Sequence, residues 1–173
     1  MVGEAPVKWT LTTLGEVFEW GSGGTPKSSE QRYYGGGIPW LNIGDLTDSF
    51  VYNSEKTITE EAVQETATRY VEPGNVLVAM YGSIGKLGIA GQRLTTNQAI
   101  AFTKSIPKGI EAKYLFWFLA HAKPRLFQAD KGGTQQNISQ TVLKTVEFPL
   151  APSNEQRRIV AKIEELFSEL DNG

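Results

Sequence analysis

The chain has 173 residues, 40% of them hydrophobic, and a formal net charge of -2, which suits one domain with its own core plus an appendage. Having no cysteine and a single histidine, His121, excludes disulfides, thiolate chemistry and a histidine-cluster zinc site. With no run of about 18 apolar residues and no signal-peptide pattern at its start, the protein is expected in the cytoplasm with no membrane partner, and a pI of about 5.5 argues against a uniformly basic, phosphate-holding surface.

Residues 7–11 alternate apolar and polar like a strand, and Thr13-Leu14-Gly15-Glu16 offers a capping box to a short helix carrying Val17 and Phe18. The glycine-rich run at 21–29, extended by Arg32-Tyr33-Tyr34 and Gly35-Gly36-Gly37, reads as loop. A strand is expected at 38–43, with Pro39 near its start where a missing N–H is tolerated. Residues 59–66 have weak helical character. From 70 to 104 the pattern is β: a buried strand at 75–81, a turn at Gly82-Ser83-Ile84-Gly85, a hairpin partner at 86–90 and a further strand at 97–103.

Residues 113–120 are too densely apolar for a surface helix and are expected against the sheet, with Pro124 ending or kinking the helix. A polar glycine loop at 131–137, a short helix at 139–144 and a strand ending at Phe148-Pro149-Leu150 follow. Ala151-Pro152-Ser153 marks a boundary, and Ser153 with Gln156 forms a capping box for a new helix. In that helix Ile159, Ile163, Leu166 and Leu170 recur at spacings of four, three and four, the seam of a coiled coil that needs a partner helix. Barely two heptads are present, too few for a stable isolated helix, so the chain looks cut from something longer.

The usual catalytic signatures fail. Before Gly85-Lys86 a phosphate loop needs glycine where Met80 stands, and Leu87 replaces the serine or threonine that holds magnesium; a hairpin turn is the better reading. Glu111-Ala112-Lys113 lacks the preceding Pro-Asp of a nuclease metal site and reads as a helix start. Ile38-Pro39-Trp40 lacks the full motif and cofactor loop of an amino-methyltransferase and reads as packing. His121 has no nucleophile elbow and no second histidine, and Asn137-Ile138-Ser139 is a glycosylation acceptor in form only.

Three polar segments are rich in groups that address nucleic acid: amides for adenine, cations for guanine or phosphate, and glycines that let backbone approach closely. The first offers Thr25, Lys27, Ser28, Arg32 and Tyr33; the second Lys131, Thr134, Gln135, Gln136 and Asn137; the third, at the hairpin, Tyr81, Ser83 and Lys86. The competing reading is that such loops are solvated turns.

Three stretches carry a family resemblance. They are Gly23-Gly24-Thr25-Pro26 leading to Gly37-Ile38-Pro39-Trp40-Leu41; Pro73-Gly74-Asn75-Val76-Leu77-Val78 with Gly82-Ser83-Ile84-Gly85-Lys86; and Gly133-Thr134-Gln135-Gln136-Asn137-Ile138-Ser139 followed by Phe148-Pro149-Leu150-Ala151-Pro152 and residues 154–167. Together, in this order, the chain resembles one target-recognition domain of a type I restriction-modification specificity subunit.

The expected fold is α/β, more narrowly α+β: residues 1–151 form one globular recognition domain with a twisted, mostly antiparallel sheet and packed helices, and residues 152–173 begin a coiled-coil spacer helix. The resemblance implies that double-stranded DNA is the ligand, with one half of a bipartite target read here. It implies modification and restriction subunits as partners, and a second recognition domain or second copy of this chain paired through the helix. It also implies no catalysis and no cofactor in this chain, S-adenosylmethionine belonging to the modification subunit. An N-terminal half, a natural half-subunit and a trimmed piece remain open. An adaptor acting only through the coiled-coil helix is the alternative, and a degenerate methyltransferase ranks third.

Overall fold

The computed structural model describes residues 8–81, 85–127 and 138–173. A two-stranded antiparallel ribbon joins β1 (Thr10–Thr13) to β11 (Glu147–Leu150), bringing the two ends of the domain together. Between them lie a five-stranded sheet, in the order β2 (Trp20–Ser22), β10 (Ile100–Thr103), β7 (Val76–Ala79), β8 (Leu87–Ala90), β4 (Ser49–Val51), and a four-stranded sheet, in the order β5 (Lys56–Ile58), β3 (Tyr34–Leu41), β9 (Leu94–Thr96), β6 (Tyr70–Val71). Pairing is antiparallel except for β4 with β8 and β3 with β9. The expected α+β class and antiparallel bias hold, although the strands divide among three sheets rather than forming one.

The division follows from the alternation of side chains along the central strands. In β7, Val76 and Val78 enter a large core beneath the helices, while Leu77 and Ala79 enter a second core against the four-stranded sheet. Ala101 faces the first core and Ile100 and Phe102 the second. Buried on both faces, these strands read as continuous apolar runs, the pattern that made 75–81 legible.

The first core is closed by α1 (Leu14–Val17), α3 (Ala112–Phe127), α4 (Gln140–Thr145) and the start of α5 (Ser153–Asp171). Leu115 and Leu119 of α3 are fully buried there, and Phe148 of β11 meets Phe18, Tyr114 and Phe118 at ring separations of 5.0–5.6 Å. Pro124 lies within α3 on an exposed position, so of the two expectations, an end or a kink, the end does not occur there and the helix runs on to Phe127. Short α2 (Glu60–Glu65) is capped by Thr59, whose hydroxyl accepts from the Ala62 N–H.

Three other local expectations change. Gly21 and Ser22 belong to β2, and Gly35-Gly36-Gly37 lie within β3, where the pairing with β5 shifts register between Tyr34 and Ile38. The positive φ of Gly35 and Gly37 lets the strand bulge without breaking. Conversely, residues 97–99 form a turn, and the strand begins only at Ile100.

The supposed capping box at Ser153 is a tertiary tie instead. Pro152 is the N-cap, the Ser153 hydroxyl donates to the Gly109 carbonyl at 2.6 Å, and Gln156 is 1% exposed. The Gln156 amide donates to the Ala151 carbonyl at 2.8 Å and accepts from the Glu111 N–H at 2.9 Å, pinning the helix start to the loop before α3.

The glycine loop after β2 makes an equally tight tie across the sheets. A Cβ on Gly23 would stand 1.8 Å from the Thr96 carbonyl oxygen, the Gly24 N–H donates to that carbonyl at 3.1 Å, and the Trp40 indole N–H donates to the Gly24 carbonyl at 3.0 Å. Only a residue without a side chain fits at Gly23.

Two expectations follow for stability. Replacing Gln156 by Leu strands the Ala151 carbonyl and Glu111 N–H and is expected to cost about 2–4 kcal/mol, read as a lower urea midpoint at unchanged m-value, whereas Ser168→Ala on the open side of α5 costs under about 0.5 kcal/mol. Gly23→Ala forces backbone movement against Thr96 and is expected to cost roughly 2–3 kcal/mol, while Gly44→Ala, with open space around it, costs under about 1 kcal/mol. Equal midpoints for the two glycine variants in thermal or urea melts would contradict the close approach.

Candidate nucleic-acid interface

The loop fixed by Gly23 and Gly24 continues through exposed Thr25, buried Pro26 and exposed Lys27 and Ser28. The Tyr34 hydroxyl donates to the Pro26 carbonyl at 2.6 Å, so the loop is held from below as well as at its start. Its tip rests on the β9–β10 turn, where the Thr25 hydroxyl donates to the side-chain carbonyl of Gln98.

That turn is a junction. The Asn97 side chain donates to Asn42 Oδ1 at 2.9 Å and accepts from the Ala99 N–H at 3.0 Å, and its backbone N–H donates to the Leu41 carbonyl at 2.9 Å. Asn42 is itself braced by Asp45, which accepts from its N–H at 2.8 Å. On the other side the Ala99 carbonyl accepts from the Met80 N–H at 2.8 Å, and the Met80 carbonyl accepts from the Ile138 N–H at 3.1 Å. Tyr81, the next residue, is 42% exposed.

The first loop and the hairpin thus meet around residues 97–99, and the described chain resumes beside them at Ile138, directly after the second glycine loop. Ser83, Lys131, Thr134, Gln135, Gln136 and Asn137 lie outside the described residues. Lys86 is half-buried just past the hairpin turn, its carbonyl accepting from the Ala79 N–H at 2.9 Å. Among the described residues neither Lys27 nor Lys86 is in an ion pair.

Two candidates from the first segment are engaged elsewhere. Arg32 is clamped by Glu30 at 3.2 Å, by Glu65 at 3.0 Å and by Glu61. Hydrogen bonds to Glu30 and Glu61 raise its pKa still further above the ordinary guanidinium range, and the cation is neutralised by its own chain. Tyr33 is a correction: its ring is buried with Trp40, Ile58 and Ala62, so it cannot reach a base edge. Its hydroxyl donates to Glu65 at 2.8 Å, and that bond, with burial, raises the phenol pKa.

Sequence reasoning missed Gln98 and its brackets Asn97 and Asn42 because 97–103 looked like one strand. The available signal was Asn97, a turn former preceding the apolar run. Among the described residues no group of three or more His, Asp or Glu side chains is placed to hold a metal, and no helix is long and apolar enough to cross a membrane.

Helix α5 has a mixed polar and apolar face against the domain and a second, apolar face. Gln156, Val160, Glu164 and Phe167 turn toward the domain: Val160 is buried, Lys113 pairs with Glu164 at 2.5 Å, and Phe167 stacks on Trp117 with ring centroids 5.1 Å apart. Rotated from this face by roughly 90° about the axis lies the expected seam. Ile159 and Ile163 are half-buried on it, whereas Leu166 and Leu170 are 48% and 74% exposed.

Comparison with known proteins agrees with this architecture. Residues 6–173 match the family described as the Type I restriction modification DNA specificity domain. The MjaIX specificity subunit of a type I restriction enzyme from Methanocaldococcus jannaschii is 33% identical over 98% of this chain, which covers 40% of that protein. A chain from a structure concerned with complex assembly and conformational transition of the type I R-M system superposes with a TM-score of 0.80 at 24% identity, over 99% of this chain and 41% of that one. The crystal structure of the HsdS subunit from Thermoanaerobacter tengcongensis gives a TM-score of 0.72 at 24% identity, over 99% of this chain and 40% of that one. The chain spans about two fifths of the length of the relatives it matches, and it belongs to the type I restriction-modification DNA specificity domain family.

Proposed function

We propose that the chain reads one half of a bipartite DNA target as a recognition domain of a type I restriction-modification specificity subunit. The observation that carries this reading is the junction at residues 97–99, where Thr25 bonds Gln98 and Met80, preceding exposed Tyr81, bonds Ala99 and, on its other side, Ile138. Hydroxyls and an amide at this end suit base edges in the major groove, and exposed Lys27 suits phosphate.

The domain contributes recognition and no chemical step. Adenine methylation, with S-adenosylmethionine, belongs to modification subunits and cleavage to restriction subunits, both working in the cytoplasm where the DNA lies. The acidic balance supports this division of labour, because a chain of net charge -2 gains little from phosphate neutralisation on its own. The exposed part of the α5 seam supports pairing with the helix of a second recognition domain or second copy. An adaptor using only that seam shares the pairing but has no use for the ordered loops.

The test uses a complete specificity subunit containing this domain, assembled with its modification subunits. Exchange of residues 25–28, the hairpin turn at 81–86 and the loop at 131–137 for those of a relative is expected to move one half of the methylated sequence and leave the other half unchanged. Methylation mapped on genomic DNA gives the readout. An unchanged target after all three exchanges refutes the reading, and partner binding without any sequence preference establishes the adaptor.

A further inference from the structure

The geometry points to Gln98 as a base-reading side chain, with Thr25 as the residue that positions it. The inference rests on the DNA-reading function and assigns it to a particular amide. Gln98 is exposed at the crown of the β9–β10 turn, while its neighbours are spent on structure. Asn97 bridges Asn42 and the Ala99 N–H, and Ala99 holds Met80. The turn is therefore fixed on both sides, and only Gln98 has a side chain facing away from it.

The amide is also aimed. Thr25 donates its hydroxyl proton to Gln98 Oε1, and the backbone contact of Gly23 and Gly24 with Thr96 sets the distance between the two residues. A carboxamide oxygen has two acceptor sites, and the nitrogen has two N–H donors. With one acceptor site taken by Thr25, the remaining acceptor and an N–H form a donor–acceptor fork. That fork matches adenine, which presents N7 as acceptor and its N6 amino group as donor in the major groove. Because the side chain is already oriented, little rotamer freedom is lost on binding. No other described residue in the cluster combines exposure, a two-sided hydrogen-bonding group and a partner that fixes its orientation: Lys27 is a point cation, and the Tyr81 hydroxyl is a single group.

The test compares Gln98→Ala, Gln98→Glu and Thr25→Val in the complete specificity subunit assembled with its modification subunits, by selection from a DNA library randomised across the target and by methylation mapping. Gln98→Ala is expected to reduce discrimination at one A·T pair by roughly 10- to 100-fold and to leave all other positions as before. Gln98→Glu, which can only accept, shifts that position toward a base with an exposed amino donor such as cytosine. Thr25→Val weakens the same position and no other, a result that a purely structural clasp does not give.

If Gln98→Ala and Gln98→Glu retain the original preference, or weaken binding equally for all sequences, the assignment to Gln98 is overturned. Exchange of residues 25–28, 81–86 and 131–137 in the same assembly separates the two failures: a moved target keeps the domain as reader and rejects Gln98 alone. A target indifferent to every loop rejects both. Thermal melts of Gln98→Ala matching the parent protein confirm that a loss of preference is not a loss of fold.

Discussion

The contact between the Gly23-Gly24 backbone and the Thr96 carbonyl organises the polar end of this domain. It joins the loop leaving β2, an edge strand of the five-stranded sheet, to the end of β9 in the four-stranded sheet. The Trp40 indole, buried with Tyr33, Ile58 and Ala62 on the other face of β3, donates to the Gly24 carbonyl and closes the joint from that side. Backbone this close leaves no room for a Cβ at Gly23 or, with Ala67 and Thr68 within 3.0 Å, at Gly24. The consequence is functional. Thr25 and Gln98, 73 positions apart in the chain, are set side by side by backbone hydrogen bonds rather than by their own weak mutual attraction.

Much of the fold was legible because burial on both faces of β7 and β10 leaves short apolar runs bounded by turn residues, and because Thr59 and Pro152 mark the starts of helices. What escaped was whatever tertiary context decides. Gly35-Gly36-Gly37 reads as loop by propensity, yet pairing with β5 and a bulge hold it in a strand. Ser153 and Gln156 satisfy the capping-box pattern, but tertiary partners divert them, Ser153 to Gly109 and buried Gln156 to Glu111 and Ala151. The candidate interface was legible only as a set of loops. That Gln98 belongs with Thr25, and that Tyr33 does not belong at all, depends on long-range packing that no local pattern encodes.

Charge follows the same logic. Of the basic residues, Arg32 and Arg93 are held by acids of their own surface, and those on α5 pair within the helix or with Glu111. Such exposed pairs add little stability, but they remove cations from the pool available to phosphate. Arg93 also stacks on Tyr70 at 3.6 Å, so its guanidinium is occupied on its face as well as its edge. Those cations add correspondingly little to any attraction for a polyanion.

The two faces of α5 then have distinct physical roles. The face carrying Gln156, Val160, Glu164 and Phe167 ties the helix to α3 through an ion pair and an aromatic stack, and to the loop before α3 through a buried amide. Three different kinds of contact act along three turns, the buried Gln156 amide being the strongest of them, so rotation or sliding of the helix breaks at least one. The seam of Ile159, Ile163, Leu166 and Leu170 is therefore presented at a fixed angle to the domain. Any helix that covers Leu166 and Leu170 inherits that angle, and with it a fixed orientation relative to the loop cluster around Gln98. Rigidity at Gln156 is thus what converts a helix contact into a geometric constraint on where the Thr25 and Gln98 loops stand.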